Sequence, residues 1–85
     1  MNKNILVITV DKRKASAVKV QKILTEWGCI IKTRLGIHDG VMDKCSEHGL
    51  IILELAGELK MQQQMTKLLA ILPGVRTHFV KLGLK

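Results

Sequence analysis

The hydrophobic and polar positions of the chain form two successive groups, each of which reads strand, helix, strand. In the first group, residues 4–10 are a continuous apolar run rich in β-branched residues, typical of a strand covered on both faces. Residues 14–28 predict a helix that ends at Gly28, where a glycine with positive φ is expected. The apolar positions of this helix recur three to four residues apart: Ala17, Val20, Leu24 and Trp27. Residues 29–36 alternate between apolar and polar and predict a half-exposed edge strand, with Cys29 as a small buried residue.

The second group repeats the same order of elements. Residues 49–57 are apolar on both faces for most of their length, which predicts a central strand, and residues 58–72 follow as a helix. We expect one side of this helix to pack in the core: Met61, Met65, Leu68, Leu69 and Leu72. We expect the other side to face solvent: Gln62, Gln63, Gln64 and Lys67. Pro73 and Gly74 end the helix, with a positive φ expected at Gly74, and residues 75–82 form the last strand.

The order of these elements, βαββαβ, predicts a ferredoxin-like α+β sandwich in a single domain, residues 1–85. Its four-stranded antiparallel sheet carries both helices on one face and has the first and third strands in the centre. These are the same two strands whose sequences are apolar on both faces. The face without helices would leave aliphatic side chains toward water: part of Ile5, Val7, Leu50 and Ile52, or of the residues that alternate with them. Since an exposed apolar patch usually marks an interface, we expect a homo-dimer or homo-tetramer.

The composition narrows the classes of function. The formal charge is +7, but the cations are spread along the chain, which is typical of a solubilising surface; a weak, charge-driven nucleic-acid binder is the third candidate function. The central strands have no aromatic residues that could stack on bases. No nucleophile–base pair or phosphate loop is present, so we expect no catalytic residues and no enzyme activity. With no export signal or membrane span in the sequence, we expect a cytoplasmic protein that contacts no membrane.

A basic turn precedes the first helix and is a candidate site for an anionic ligand. Lys12, Arg13 and Lys14 fall at the helix N-terminus, where cations are unfavourable unless an anion neutralises them and where free N–H groups bind anions. Arg34 and Gly36 lie near the exit of the second strand, where Arg34 and Lys32 could contact a carboxylate or phosphate. The alternative is a solvated basic turn beside an edge strand whose charges prevent aggregation.

The connection between the second and third strands, residues 37–48, is the candidate metal site. It holds imidazole and thiolate ligands in His38, Cys45 and His48, a combination that favours zinc, nickel or copper. It is also longer than the roughly two to five residues of most hairpin loops. The alternative is a polar connection that binds nothing. We expect no cofactor apart from such a transition-metal ion.

The sequence resembles a known family over nearly its whole length. The stretch ILVITVDKRKASAVKVQKILTEWGCIIKTRLGI has an acidic residue after the strand, then VQKIL, a helix-ending WG and RLGI, and the later stretch GLIILELAGE begins the second half. Both resemble the small stand-alone ACT-like proteins that are named regulators of the iron-only hydrogenase system. The resemblance implies an ACT-like fold and a regulatory module that binds a small effector or a protein partner. A metal-binding or metal-sensing protein that uses residues 37–48 is the alternative function.

Overall fold

The strands and helices occur in the order that the sequence predicts. The computed structural model describes residues 2–11, 14–38 and 49–83. Its elements are, in chain order, β1 (Asn2–Val10), α1 (Lys14–Glu26), a 3₁₀ turn (Gly28–Ile30), β2 (Ile31–His38), β3 (Gly49–Leu55), α2 (Leu59–Ala70) and β4 (Val75–Gly83). Within these described ranges, neither helix is long and apolar enough to cross a membrane.

The sheet has the strand order β2-β3-β1-β4, and every neighbouring pair of strands is antiparallel. The first and third strands are therefore central, as predicted, and β2 and β4 form the edges. Both helices pack against the same face of this sheet, where their apolar side chains join a common core. The architecture is the ferredoxin-like βαββαβ sandwich of the ACT-like type, which confirms the predicted fold class.

The core lies between the two helices and one face of the sheet. β1 and β3 bury alternate residues, because successive side chains of a strand point to opposite faces. Leu6, Ile8 and Leu53 are completely buried. The helices contribute further buried side chains: Val20, Leu24, Met65 and Leu69. Burying each aliphatic side chain of this kind stabilises the fold by about 1.5–3 kcal/mol, so this covered face holds most of the hydrophobic stabilisation within the chain.

The end of α1 differs from the prediction. The helix runs on into the 3₁₀ turn, in which the Ile30 N–H donates to the Trp27 carbonyl oxygen at 3.1 Å. Gly28 does not have the positive φ expected of it, whereas Gly74 does, at 72°. The prediction is therefore wrong for Gly28 and confirmed for Gly74. Because the turn places Ile30 in the core, Cys29 is exposed, which corrects its expected burial.

Strand β2 changes face partway along its length. Its pairing with β3 is irregular where Ile31 lies opposite Leu55 and Thr33 lies opposite the adjacent Glu54, so β2 advances two residues while β3 advances one. Ile31 therefore packs against the core, while Leu35 lies on the face without helices. The strand is an edge strand, as predicted, but this bulge breaks the simple alternation that would place both residues on one face.

Helix α2 turns a different side toward the core than the sequence predicts. Met65 and Leu69 are buried as expected, but Met61 and Leu68 are each 40% exposed. Gln62, which is expected in solvent, is only 3% exposed. The buried side thus follows an i, i+3, i+7 spacing that begins with a polar residue. The burial of Gln62 is tolerated because both the nitrogen and the oxygen of its side-chain amide are hydrogen-bonded.

Candidate functional site

The residues of the predicted anion site lie on two separate parts of the fold. Arg34 and Gly36 are exposed on the edge strand β2, two positions apart. Lys14 is the first residue of α1, which follows β1, and Lys12 and Arg13 lie outside the described residues. Strand β3 separates β2 from β1, which places the two strands about 10 Å apart. A single site formed by all five residues stays a prediction.

The predicted metal site falls almost entirely on undescribed residues. His38 ends β2, and Cys45 and His48 lie outside the described ranges. In the part of the chain that the structure describes, no three His, Cys, Asp or Glu residues are grouped so that they could hold a metal ion. Metal binding by residues 37–48 therefore stays a prediction.

The face of the sheet opposite the helices carries a continuous group of aliphatic side chains, which we call the open face. Its central members are half-buried residues on the three strands β3, β1 and β4: Ile5, Val7, Leu50, Ile52 and Val80. Leu35 and Leu82, on the two edge strands, are 52% and 46% exposed. Residues paired directly across antiparallel strands share a face, and the register pairs Val7 with Ile52. Of the two alternating sets that the sequence leaves open, the one with Ile5, Val7, Leu50 and Ile52 lies on this face.

A polar cluster borders the open face where β1 begins and β3 ends. Lys3 Nζ lies 2.7 Å from Glu54 Oε2, and the Thr33 hydroxyl donates to Glu54 Oε1 at 3.3 Å. The hydrogen bond from Lys3 is the main reason that the pKa of Glu54 lies below its ordinary value, and the positive charge of Lys32 lowers the pKa further. Glu54 is therefore ionised at neutral pH, and its charge is matched by Lys3.

Beside this cluster, a cleft of about 410 Å³ opens at the end of the sheet. It lies where β1 begins, where the chain leaves β3 and where α2 starts. The walls combine charged, carboxamide and apolar groups: Lys3, Asn4, Lys32, Glu54, Leu55, Ala56, Gly57, Leu59 and Gln62. Of these residues, the sequence singles out only Lys32, as a possible contact for a carboxylate or phosphate. The cleft itself is a further candidate site that sequence reasoning missed.

Gln62 holds the polar side of the cleft together. Its Nε2 donates to the carbonyl oxygens of Ala56 and Gly57, each at 3.1 Å, and its Oε1 accepts from Asn4 Nδ2 at 2.8 Å. These bonds join α2 to β1 and to the connection that follows β3. The spacing of Gln62 to the buried Met65 and Leu69 is the signal that could have revealed its burial. The cleft is thus built on a hydrogen-bonded framework.

Known structures resemble this fold at low sequence identity. An uncharacterized protein from Thermotoga maritima has a TM-score of 0.84 at 23% identity, with 98% of this chain and 100% of that chain covered. The C-terminal domain of the MgtC protein from Mycobacterium tuberculosis has a TM-score of 0.66 at 11% identity, with 95% and 87% covered. CPII, a nitrogen regulatory PII-like protein from Thiomonas intermedia bound to ADP, AMP and bicarbonate, has a TM-score of 0.54 at 15% identity, with 100% and 97% covered. These similarities show a shared fold. No protein-family model matches the chain, and no curated protein matches it in sequence.

Proposed function

We propose that this protein is a small regulatory module of the ACT-like type, which assembles as a homo-dimer or homo-tetramer through its open face and responds to a small effector. The observation that carries the proposal is the open face itself. A chain of 85 residues has little apolar surface to spare for solvent, yet it presents aliphatic side chains across neighbouring strands of this face. An apolar patch of this kind is typical of an interface.

A second copy of the chain suits this face better than a charged partner does. The centre of the face is aliphatic, and Lys3 and Glu54 at its border already neutralise each other. A second copy can therefore cover the aliphatic centre while Lys3 and Glu54 stay paired, so neither is left as the unpaired buried charge that is costly at interfaces. Two further polar residues that the register places on this face, Arg76 and His78, are exposed on the edge strand β4. A closed contact between identical surfaces is also the commonest geometry of homo-oligomers.

The regulatory part of the proposal is supported by the fold and by the sequence resemblance. A PII-like regulatory protein with the same fold binds ADP, AMP and bicarbonate, which makes a small anionic effector a reasonable expectation for this chain. We assign the protein a role in binding and no catalytic step. The resemblance to regulators of the iron-only hydrogenase system extends the proposal to that system in the cytoplasm. Hydrogen production by cells with and without the gene tests this extension, and equal production would reject it.

Sedimentation of the purified protein tests the assembly. We expect the wild type to sediment as a dimer or tetramer at tens of micromolar, and the variant Ile52→Glu to sediment as a monomer, because it places a charge in the centre of the open face. Val18→Glu is the matched control, since Val18 is 68% exposed on α1 and lies away from that face. Circular dichroism confirms that both variants are folded. A monomeric wild type, or equal dissociation of the two variants, would contradict the proposal.

A further inference from the structure

The cleft beside α2 has the size and construction of a small-molecule site. Its volume of about 410 Å³ lies within the range of roughly 300–1,000 Å³ that is typical of ligand pockets. Its walls come from the sheet and from α2. On the sheet side, the pairing of Asn4 with Leu55 fixes the separation of β1 and β3. The three hydrogen bonds of Gln62 keep the opposite wall in place. A ligand would therefore meet a preformed cleft.

The charges that line the cleft favour an anion. Two lysines, Lys3 and Lys32, stand against the single carboxylate of Glu54. Lys3 is already paired with that carboxylate, whereas Lys32 forms no ion pair with any residue that the structure describes. The cleft thus has one positive charge in excess at neutral pH. The N-terminus of α2 adds positive potential from its first N–H groups, and the exposed carboxylate of Glu58, which makes no capping hydrogen bond, partly offsets it.

The apolar part of the wall indicates that the ligand has a carbon framework. Leu55, Ala56 and Leu59 line the cleft together with the polar groups. Leu59 is 39% exposed, so a bare inorganic ion would leave its side chain in contact with water, whereas an organic group would cover it. We infer that the cleft binds a small organic anion, in which a carboxylate or phosphate faces Lys32 and an apolar or neutral part lies against Leu55 and Leu59. This inference rests on the proposed function, because it takes the ligand of the cleft to be the effector of the regulatory module and names its chemical class.

Titrations monitored by NMR test the inference on the intact chain. The probes are AMP, inorganic phosphate and acetate, each added at constant ionic strength to protein labelled with nitrogen-15. We expect saturable shifts of the side-chain amides of Asn4 and Gln62 and of the backbone amides of residues 55–59. Tighter binding of AMP and phosphate than of acetate would assign the anionic group as a phosphate. Comparable binding of acetate would assign it as a carboxylate.

Charge substitutions decide whether the cleft or the overall charge attracts the probe. Lys32→Glu should lower the affinity for the tightest-binding probe at least tenfold, and Lys32→Gln should lower this affinity by a smaller factor. Lys22→Glu is the matched control: it makes the same change of charge at an exposed position of α1 outside the cleft, and we expect its affinity to stay within twofold of the wild type. Shifts that do not saturate with any probe, or an equal loss in the Lys22 and Lys32 variants, would overturn the inference.

Sedimentation keeps this result separate from the assembly proposal. If the wild type is oligomeric and Ile52→Glu is monomeric while no probe binds the cleft, the inference fails and the assembly proposal stands. If a probe binds the cleft of a monomeric wild type, the assembly proposal fails and the anion site stands.

Discussion

The two faces of the sheet are built from the same strands and from similar residues, yet they have different surroundings. On β1, Leu6 and Ile8 point toward the helices and are completely buried, whereas Ile5 and Val7 point the other way and are half-buried. These four side chains are all aliphatic, so hydrophobicity alone does not separate them. The described residues supply one layer of helices, which covers one face. The apolar residues on the other face are what the proposed second copy of the chain would cover.

The comparison also separates two contributions to the behaviour of the protein. Side chains on the covered face stabilise the single chain, because they are removed from water when it folds. Side chains on the open face are only partly removed from water within one chain, and their remaining surface is free to stabilise association. Substitutions on the covered face should therefore lower the stability at any protein concentration, while those on the open face should act mainly through assembly.

The largest effect on stability is expected for Leu53 and Ile52, neighbours on β3 whose side chains lie on opposite faces of the sheet. Leu53→Ala should lower the free energy of unfolding by about 2–5 kcal/mol, because it opens a cavity at a completely buried position. Ile52→Ala removes aliphatic surface that is already partly in water, and we expect a loss of about 1 kcal/mol at concentrations where the chain is monomeric. Urea unfolding of both variants at low concentration measures the difference. Equal losses would mean that the two faces are equally covered in the single chain.

The next largest effect on stability is expected at Gln62, whose hydrogen bonds join α2 to the sheet. Gln62→Leu should destabilise by about 1–3 kcal/mol, since it leaves the carbonyl oxygens of Ala56 and Gly57 without their donor. Gln63→Leu is the control, because Gln63 is exposed on the same helix and should change the stability by no more than about 0.5 kcal/mol. Thermal unfolding monitored by circular dichroism checks both. If Gln62→Leu were neutral, the hydrogen bonds of Gln62 would not be what holds α2 to the sheet edge.

The turn that returns the chain to the sheet as β4 offers a smaller and more local test. Gly74→Ala should destabilise by about 1–2 kcal/mol, because its φ of 72° is unfavourable for a residue with a side chain. The added Cβ would also overlap the Asp11 carboxylate. Gly28→Ala should alter the stability by less than about 0.5 kcal/mol. Apart from its two chain neighbours, no described residue has an atom within 4 Å of the position its Cβ would take. Similar melting temperatures for the two variants would contradict this assignment.

The smallest effect is expected at the border of the open face, where Glu54 pairs with Lys3. The pKa of Glu54 is lower in the folded protein than its ordinary value of 4.5, so its ionised form stabilises the fold above that pH. This contribution is lost as the pH falls through the lowered pKa. The difference in melting temperature between the wild type and Glu54→Gln should therefore be small at pH 7 and shrink further below about pH 4.5. A difference that grows on acidification would have the wrong sign for this ion pair.

The fold could be predicted from the sequence because its signals are local. Successive side chains of a strand point to opposite faces, so Ile5 and Val7 share a face once residues 4–10 form a strand. The position of Gly74 after Pro73 likewise indicates a turn with positive φ, which the structure confirms. Gly28 shows the limit of such a rule, since a 3₁₀ turn that keeps Ile30 in the core replaces the expected glycine stop.

The cleft could not be predicted because its parts are distant in the sequence. Lys3 and Glu54 are 51 residues apart, and Asn4 and Gln62 are 58 residues apart. Such residues become neighbours only when the strand register is known, and each by itself looks like a surface residue. Gln62 in particular reads as one of three consecutive glutamines on a solvated helix face.

By itself, the sequence determined the order of elements, the central position of β1 and β3, and the excess of apolar side chains on the sheet. The order of elements follows from hydrophobic periods of two and about 3.6 residues. The other two features follow from runs that are apolar on both faces of a strand. All of these patterns involve residues that are close together along the chain. The tertiary structure alone decided which side of α2 is buried, where the β2 bulge falls, and that Lys3, Lys32 and Gln62 line one cleft. These features depend on contacts between elements that the chain brings together only on folding. The spacing of Gln62 to Met65 and Leu69 is compatible with the buried side of α2, but only those contacts select it.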